Sequence, residues 1–373
     1  MIKCDEFFKE LIASDINFFC GVPDSLLKDI CAFITDNSIN HIITANEGNA
    51  IALAAGYHLA TNKIGLVYLQ NSGLGNCINP LTSLVDKEVY SIPILLLIGW
   101  RGEPNKKDEP QHKKIGRITL KILETLEIPY RVLDNNFKEI IKEATNYFEK
   151  ENHPFAIIVK EKTFEEYRLK NKKQTNFEFS REEALKLIVP LFEKEAIIVS
   201  TTGKTSRELF ELRDLNKEGH EKDFLTVGSM GHSSSIALGI AISKPNKTVY
   251  CIDGDGAIIM HMGVLSTIGS TGPKNFKHLI INNFAHDSVG GQPTAAWNID
   301  FLKIGKANNY KKILSAETKE EIIKKFKEFK KSEGPILFEI KVNKGARENL
   351  GRPTISTVQN KKDFMNFLKS SIN

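Results

Sequence analysis

What the chain lacks narrows it first. No apolar run approaches the roughly 18 residues that a membrane-spanning helix needs, so no membrane association is expected. The N-terminal MIKCDEFFKEL has polar residues breaking its apolar ones, which argues against a signal peptide and makes the cytoplasm the expected location. Cysteines are few, and Cys4, Cys20, Cys31, Cys77 and Cys251 are odd in number and unclustered. They offer neither a metal spacing nor a disulfide framework, so they are expected to pack as small apolar residues in a reducing compartment. Short-period repeats and low-complexity tracts are missing too. Charge imbalance is small: 51 Lys and Arg against 46 Asp and Glu leave a formal net charge of +5. Basic residues interleaved with aromatics along a groove are not evident, so nucleic acid is not an expected partner. A small anionic substrate is compatible with the excess.

What remains is a soluble globular composition, 41% hydrophobic and 26% charged over 373 residues, enough for two domains. The first half alternates apolar runs with helical stretches. INFFCGV ends in a turn at Pro23-Asp24-Ser25, and SLLKDICAFI reads as a helix. HIITA reads as a buried strand before the alanine-rich helix EGNAIALAAGYHLA. IGLVYLQ and SIPILLLIG read as strands, the second uninterrupted as expected where both sheet faces are covered. Residues 166–182 are highly charged and read as a linker. The pattern then restarts with AIIVS, FLTVG, TVYCID and HLIIN, followed by a loop and then PILFEIKVN. The expected fold class is α/β: two doubly wound parallel-sheet domains, residues 1–165 and 183–373, with no middle domain.

Two candidate sites compete in the second half. STTGKTS contains Gly203-Lys204-Thr205, the end of a phosphate-binding loop, but the pattern needs glycine where Ile198 stands, so that motif fails. A glycine turn before a helix still offers N–H groups to a phosphate, or is simply a turn. GDGAIIMHMGVLSTIGSTGPKNFKHLIINN opens on Gly254-Asp255-Gly256 and closes on Asn282-Asn283, each after a strand-like run. Ligands of open parallel sheets gather at the carboxyl ends of strands. A carboxylate, an amide carbonyl and a main-chain carbonyl are hard oxygen ligands suited to Mg²⁺ or Ca²⁺. Singly, Asp255 reads as a helix cap and the asparagines as turn residues. Paired at the ends of successive strands, they favour a metal–diphosphate site.

Gly-Asp-Gly, about 25 residues, then Asn-Asn resembles the signature of thiamine-diphosphate enzymes. The resemblance implies that Asp255, Asn283 and the carbonyl of Ala285 hold Mg²⁺ against the cofactor's diphosphate. Relatives often carry glycine at the last position, and alanine departs only mildly because the backbone oxygen is used. It implies further that Glu47, at a helix start after HIITA, pairs with the cofactor's aminopyrimidine. A carboxyl in an apolar slot has a raised pKa suited to that exchange, and the cofactor's C2 ylide is the result. In GSMGHSSSIALGIA, Gly228 and Met230 would bound the pyrimidine side. The backbone of Gly203, Lys204, Gly256 and the loop His286-Asp287-Ser288 would complete the diphosphate side.

Many thiamine-diphosphate decarboxylases insert a middle domain, for which this chain has no room. GVPDSLL, ANEGNAIALAAGYHLAT, QNSGLGN and INPL around Cys77, GWRGEP, KKDEPQH, TTGKTSREL, HDSVGGQPT and KVNKGARENLGRPT look like the phosphonopyruvate decarboxylases. Several of these segments also occur in sulfopyruvate decarboxylases. The resemblance implies decarboxylation of 3-phosphonopyruvate to 2-phosphonoacetaldehyde and CO₂ in phosphonate biosynthesis. Sulfopyruvate decarboxylation, carboligation and a catalytically inactive cofactor-binding protein are the alternatives. A phosphonate dianion needs charge-assisted donors, for which His112, Lys113, Arg117, Arg347 and Arg352 are candidates, against plain solvated charge. Ser25 and Asp24 lie where relatives place polar residues over the reacting carbon, to orient a carboxylate or relay a proton, unless they merely make a turn. A homodimer or homotetramer with active sites at the subunit interface is implied.

Overall fold

The computed structural model describes residues 1–370 and separates into two compact units. The first comprises Met1–Lys172 with Ser288–Gln292, the second Lys173–Asp287 with Pro293–Asn373. Six strands build the first sheet: β1 (Phe18–Gly21), β2 (His41–Ile43), β3 (Gly65–Gln70), β4 (Ile94–Gly99), β5 (Tyr130–Val132) and β6 (Phe155–Val159). They lie in the order β2-β1-β3-β4-β6-β5, and every pairing is parallel. Six more build the second: β7 (Ile197–Ser200), β8 (Asp223–Leu225), β9 (Val249–Gly254), β10 (Phe276–Asn282), β11 (Lys312–Ala316) and β12 (Ile336–Lys341). Their order is β11-β12-β10-β9-β7-β8, again all parallel. Counted from its own first strand and read from the opposite edge, the second sheet repeats the order of the first.

Parallel strands need crossover helices, which cover both sheet faces and make central strands apolar throughout. All six residues of β4 and all seven of β10 are buried accordingly. Each Leu, Ile or Phe sealed there is worth about 1.5–3 kcal/mol relative to exposure. One face of the first sheet packs Phe7, Phe19, Tyr68, Leu95 and Phe155, and the other packs Ala50, Ala54, Leu69, Leu96 and Ile158. The second unit gathers Phe210, Tyr250, Leu279, Phe326 and Phe338. All five cysteines are buried and free.

The structure corrects the sequence in several places. HIITA is not a buried strand: β2 is an edge strand and Ile42 is 43% exposed, because only one neighbour covers it. The loop expected after HLIIN contains the helix Phe301–Ala307, strand β11 and the helix Lys319–Lys331. β11 is an edge strand with mostly half-buried residues, so its apolar signal is weak. The charged stretch 166–182 is anchored at its start, where Tyr167 reaches Asp36 Oδ2 at 3.0 Å and packs on Phe33. At its far end Ser180 forms a capping box with Glu183 and starts the helix Arg181–Ile188. No helix among the described residues is long and apolar enough to cross a membrane.

The loop after β4 is clamped onto the helix Pro110–Thr125. Trp100 Nε1 donates to Gly116 O at 2.8 Å, and a Cβ at Gly116 would stand 1.8 Å from Gly102 O. Gly116→Ala must therefore push the loop away, which overpacking data put at about 1–3 kcal/mol. The urea midpoint of the first unit, followed by Trp100 fluorescence, should fall accordingly.

Candidate active site

A crevice forms at the carboxyl edge of a doubly wound sheet where successive connections leave in opposite directions. In the first unit that point lies between β1 and β3, because β2 and β3 flank β1 on opposite sides. The loops that end β1, β2, β3 and β4 supply the polar groups there. Glu47 opens the helix Glu47–Thr61, whose cap is Asn46 accepting from Asn49 N. Its carboxyl is only 6% exposed, and burial raises its pKa, opposed by a 2.7 Å hydrogen bond from Asn76 Nδ2 to Oε2. Oε1 is covered by Gly73, where a Cβ would lie 2.4 Å away. The QNSGLGN segment thus closes over Glu47 because it carries glycine and asparagine at those two places.

Asp24 is fully buried, and its carboxyl is likewise raised by burial. It accepts from Gln70 Nε2 at 2.5 Å and from Leu26 N at 2.8 Å, the latter the Asx turn that the sequence allowed. Gly99 makes room, since a Cβ there would meet Asp24 Oδ2 at 2.1 Å. Ser72 donates to Gln70 Oε1 at 2.7 Å, and Arg101 Nη1 donates to Ser25 Oγ at 2.8 Å. Arg101 is held by Asp108, which its hydrogen bonds and those from Gly102 N and Glu109 N keep far below the usual carboxylate range despite burial. The sequence reading missed Arg101, Asp108, Gln70 and Asn76; only their places in the GWRGEP, KKDEPQH and QNSGLGN segments marked them.

In the second unit the same crevice lies between β7 and β9. Gly203 caps the helix Lys204–Leu215 at φ +94°, a conformation that favours glycine, and the helix N-terminus opens there. Gly228, at φ +71°, donates its N–H to Thr202 Oγ1 at 3.0 Å. Gly254 ends β9, and Asp255 starts the following helix. Asp255 is 2% exposed and burial pushes its pKa up to about 7, opposed by Thr294 Oγ1 at 2.5 Å and by the backbone N–H of Asn283. Gly256 faces the tip of Met230 and the ring of His286, each 3.4 Å from where a Cβ would be. Burial pushes His286 down to about 4.

Asn283 follows β10, whose Ile281 pairs with Gly254, so the asparagine emerges beside Asp255. Its Nδ2 donates to Asp287 Oδ2 at 2.8 Å and its Oδ1 accepts from Ala285 N at 3.2 Å. Lys204 Nζ reaches Asp287 O at 3.1 Å. Ala285 is buried and bridges Pro293. Thr294 and Gln292 escaped the sequence reading. Gln292 is fully buried, with no hydrogen-bond partner for either amide atom among the described residues.

Residues 4–120 match the N-terminal TPP binding domain of thiamine pyrophosphate enzymes, and residues 201–340 match their C-terminal TPP binding domain. A phosphonopyruvate decarboxylase of Streptomyces viridochromogenes is 30% identical over 99% of this chain and 95% of its own length. The chain belongs to the thiamine-diphosphate-dependent decarboxylase family. A phosphonopyruvate decarboxylase of Streptomyces hygroscopicus is 31% identical, over 98% of this chain and 94% of its own. A sulfopyruvate decarboxylase of Methanosarcina acetivorans is 28% identical over 84% of each.

The residues present fit the family's cofactor. Asp255, Asn283 Oδ1 and the Ala285 backbone bring hard oxygen donors to adjacent strand ends, and burial drives Asp255 toward neutrality, a cost that a divalent cation reverses. Of the basic candidates for the decarboxylase's substrate, His112 is buried in the helix Pro110–Thr125, while Lys113 and Arg117 are exposed on it. Arg352 is exposed, and Arg347 is paired with Glu182 and Glu211. The exposed Ser288 clusters with the first unit.

Because the folded pKa of Glu47 lies above its unfolded value, its ionised form destabilises the fold at high pH and the penalty vanishes below the unfolded pKa. Glu47→Gln keeps an acceptor for Asn76 and removes that penalty. Urea midpoints should show the variant more stable than the parent at pH 8, with the advantage lost by pH 4.

Proposed function

We propose that this protein decarboxylates 3-phosphonopyruvate to 2-phosphonoacetaldehyde and CO₂, a step of phosphonate biosynthesis, using thiamine diphosphate and Mg²⁺. The chemistry rests on one observation: Glu47 is a buried carboxyl at a helix start, its pKa raised by burial, and it is clamped by Asn76 and Gly73. Similarity to the two phosphonopyruvate decarboxylases over almost the whole chain supports this substrate. Sulfopyruvate is the second reading, favoured by the 28% identity to the Methanosarcina enzyme.

Thiamine diphosphate, when bound, supplies the electron sink for the bond that breaks as CO₂ leaves. Asp255, Asn283 and the carbonyl of Ala285 would hold Mg²⁺, with N–H groups of Gly203, Lys204, Gly256 and the loop 286–288 around the diphosphate. Gly228 and Met230 would bound the pyrimidine side. Asn76 occupies Glu47 Oε2, so the proton that Glu47 exchanges sits on Oε1. Ser25, its hydroxyl polarised by Arg101, gives its own O–H to Asp24 Oδ1 over a long 3.5 Å, a bond that a substrate carboxylate or a proton relay would replace. Asp24 serves as a positioning residue, since it fixes Gln70 and the turn that carries Ser25. His112, Lys113, Arg117, Arg347 and Arg352 remain the candidate partners of the anionic head group. The proposed assembly is a homodimer or homotetramer in which each site draws on two copies.

Aldehyde and CO₂ should form from phosphonopyruvate only with thiamine diphosphate and Mg²⁺ present, and faster than from sulfopyruvate. The reverse preference would select the second reading, and a carbon–carbon coupled product would select carboligation. Glu47→Gln should lower kcat by about 10²-fold or more, the scale of general acid–base catalysis. Asp255→Ala should instead weaken cofactor retention, read by equilibrium dialysis. Wild-type rates in both variants would remove the mechanism.

A further inference from the structure

Behind the candidate cation site stands a chain of charged side chains to which the proposed chemistry gives no part, although the backbone of Asp287 lies in the loop 286–288. Asp287 Oδ2 accepts from three donors: Asn283 Nδ2 at 2.8 Å, Gly345 N at 2.9 Å and Arg181 Nη1 at 3.2 Å. Arg181 gives its other edge to Glu208, Nε to Oε2 at 2.7 Å and Nη2 to Oε1 at 2.8 Å. Arg181 is 5% and Glu208 2% exposed, so this fork lies in the interior. The sequence delivers it there deliberately. Ser180 bridges Asn343 just past the end of β12, Asn343 also clasps Phe177 through its side chain, and the capping box starts the helix at Arg181.

A primary amide has two unlike ends, and only its oxygen binds a cation. Asn283 commits Nδ2 to Asp287, and this turns Oδ1 the other way, where it accepts from Ala285 N at 3.2 Å on the strand end next to that of Asp255. Were that acceptor to drift, the amide could turn over and aim N–H groups at the cation. Asp287 is itself fixed by Arg181, and Arg181 by Glu208. Such outer contacts orient a ligand and typically change metal affinity about 10–100-fold.

We propose that Arg181, braced by Glu208, is a positioning residue for the cation site: it holds Asp287, and Asp287 sets the orientation of the Asn283 amide. This rests on the reading of Asp255 and Asn283 as Mg²⁺ ligands.

The test is a calorimetric titration of Mg²⁺ into the full-length protein with thiamine diphosphate in excess, alongside melting temperatures. Arg181→Gln and Asp287→Ala should each weaken Mg²⁺ binding about 10–100-fold. Arg181→Lys, which keeps a cation against Asp287, should recover most of the loss. Asp287→Asn, which can still accept from Nδ2, should lose less than Asp287→Ala. The double variant Arg181→Gln, Asp287→Ala should be no weaker than the worse single one, because both act along one path. A lowered melting temperature with unchanged Mg²⁺ affinity would overturn the proposal, and so would losses that multiply in the double variant. Should Arg181→Gln fail to fold, the Asp287 pair decides: equal affinity in Asp287→Ala and the parent overturns it. A parent protein that takes up no Mg²⁺ with thiamine diphosphate defeats the functional reading itself, a separate outcome from variants that bind as the parent does.

Discussion

Burial of carboxyl groups against insufficient compensation is the interaction on which the rest depends. Two sheets covered on both faces leave little room for charge along the strands, so ionisable groups collect where strands end. There Glu47, Asp24 and Asp255 are each enclosed with two to four donors, and desolvation outweighs what those donors return. A carboxyl left in that condition favours its protonated form or a cation. The first suits an acid–base partner and the second a metal ligand, the roles proposed for Glu47 and Asp255.

Within the strands, polar groups contact one another, although Asp253 Oδ1 has no hydrogen-bond partner among the described residues. Cys251, Asp253 and His278 meet on the second sheet, where Asp253 Oδ2 shares contacts with the thiol at 3.6 Å and the imidazole at 3.3 Å, and Tyr310 closes the ring of contacts on His278 Nδ1 at 2.9 Å. Burial raises the Cys251 thiol well above its ordinary value, so it stays protonated and serves as a donor. Asp255 lies two residues on along the same chain, past the strand end, and meets a different balance.

The alternation of apolar runs and helices made both sheets legible, because a doubly covered strand such as β4 leaves an unbroken apolar trace. The edge strand β2 was legible as a strand but not as a half-covered one, the edge strands β5 and β11, half covered and mixed in residues, escaped it, and so did the central β6. Glu47, Asp255 and Asn283 were legible from spacing and resemblance together. Their supports were not: Asn76 lies 29 residues from Glu47, Thr294 39 from Asp255 and Arg181 106 from Asp287. Such partners are chosen by the packing of loops, and no local pattern announces them. Arg181 looked like one more charge in a charged linker, yet it is among the least exposed ionised groups of its unit.

The two sheets share one strand order, and each seals its own core. The peptide bond from Lys172 to Lys173 is one of three crossings of the chain between the units. Its contribution is stoichiometry: every ribosome that finishes this chain releases both halves in equal number, tethered at a local concentration that dilution cannot lower.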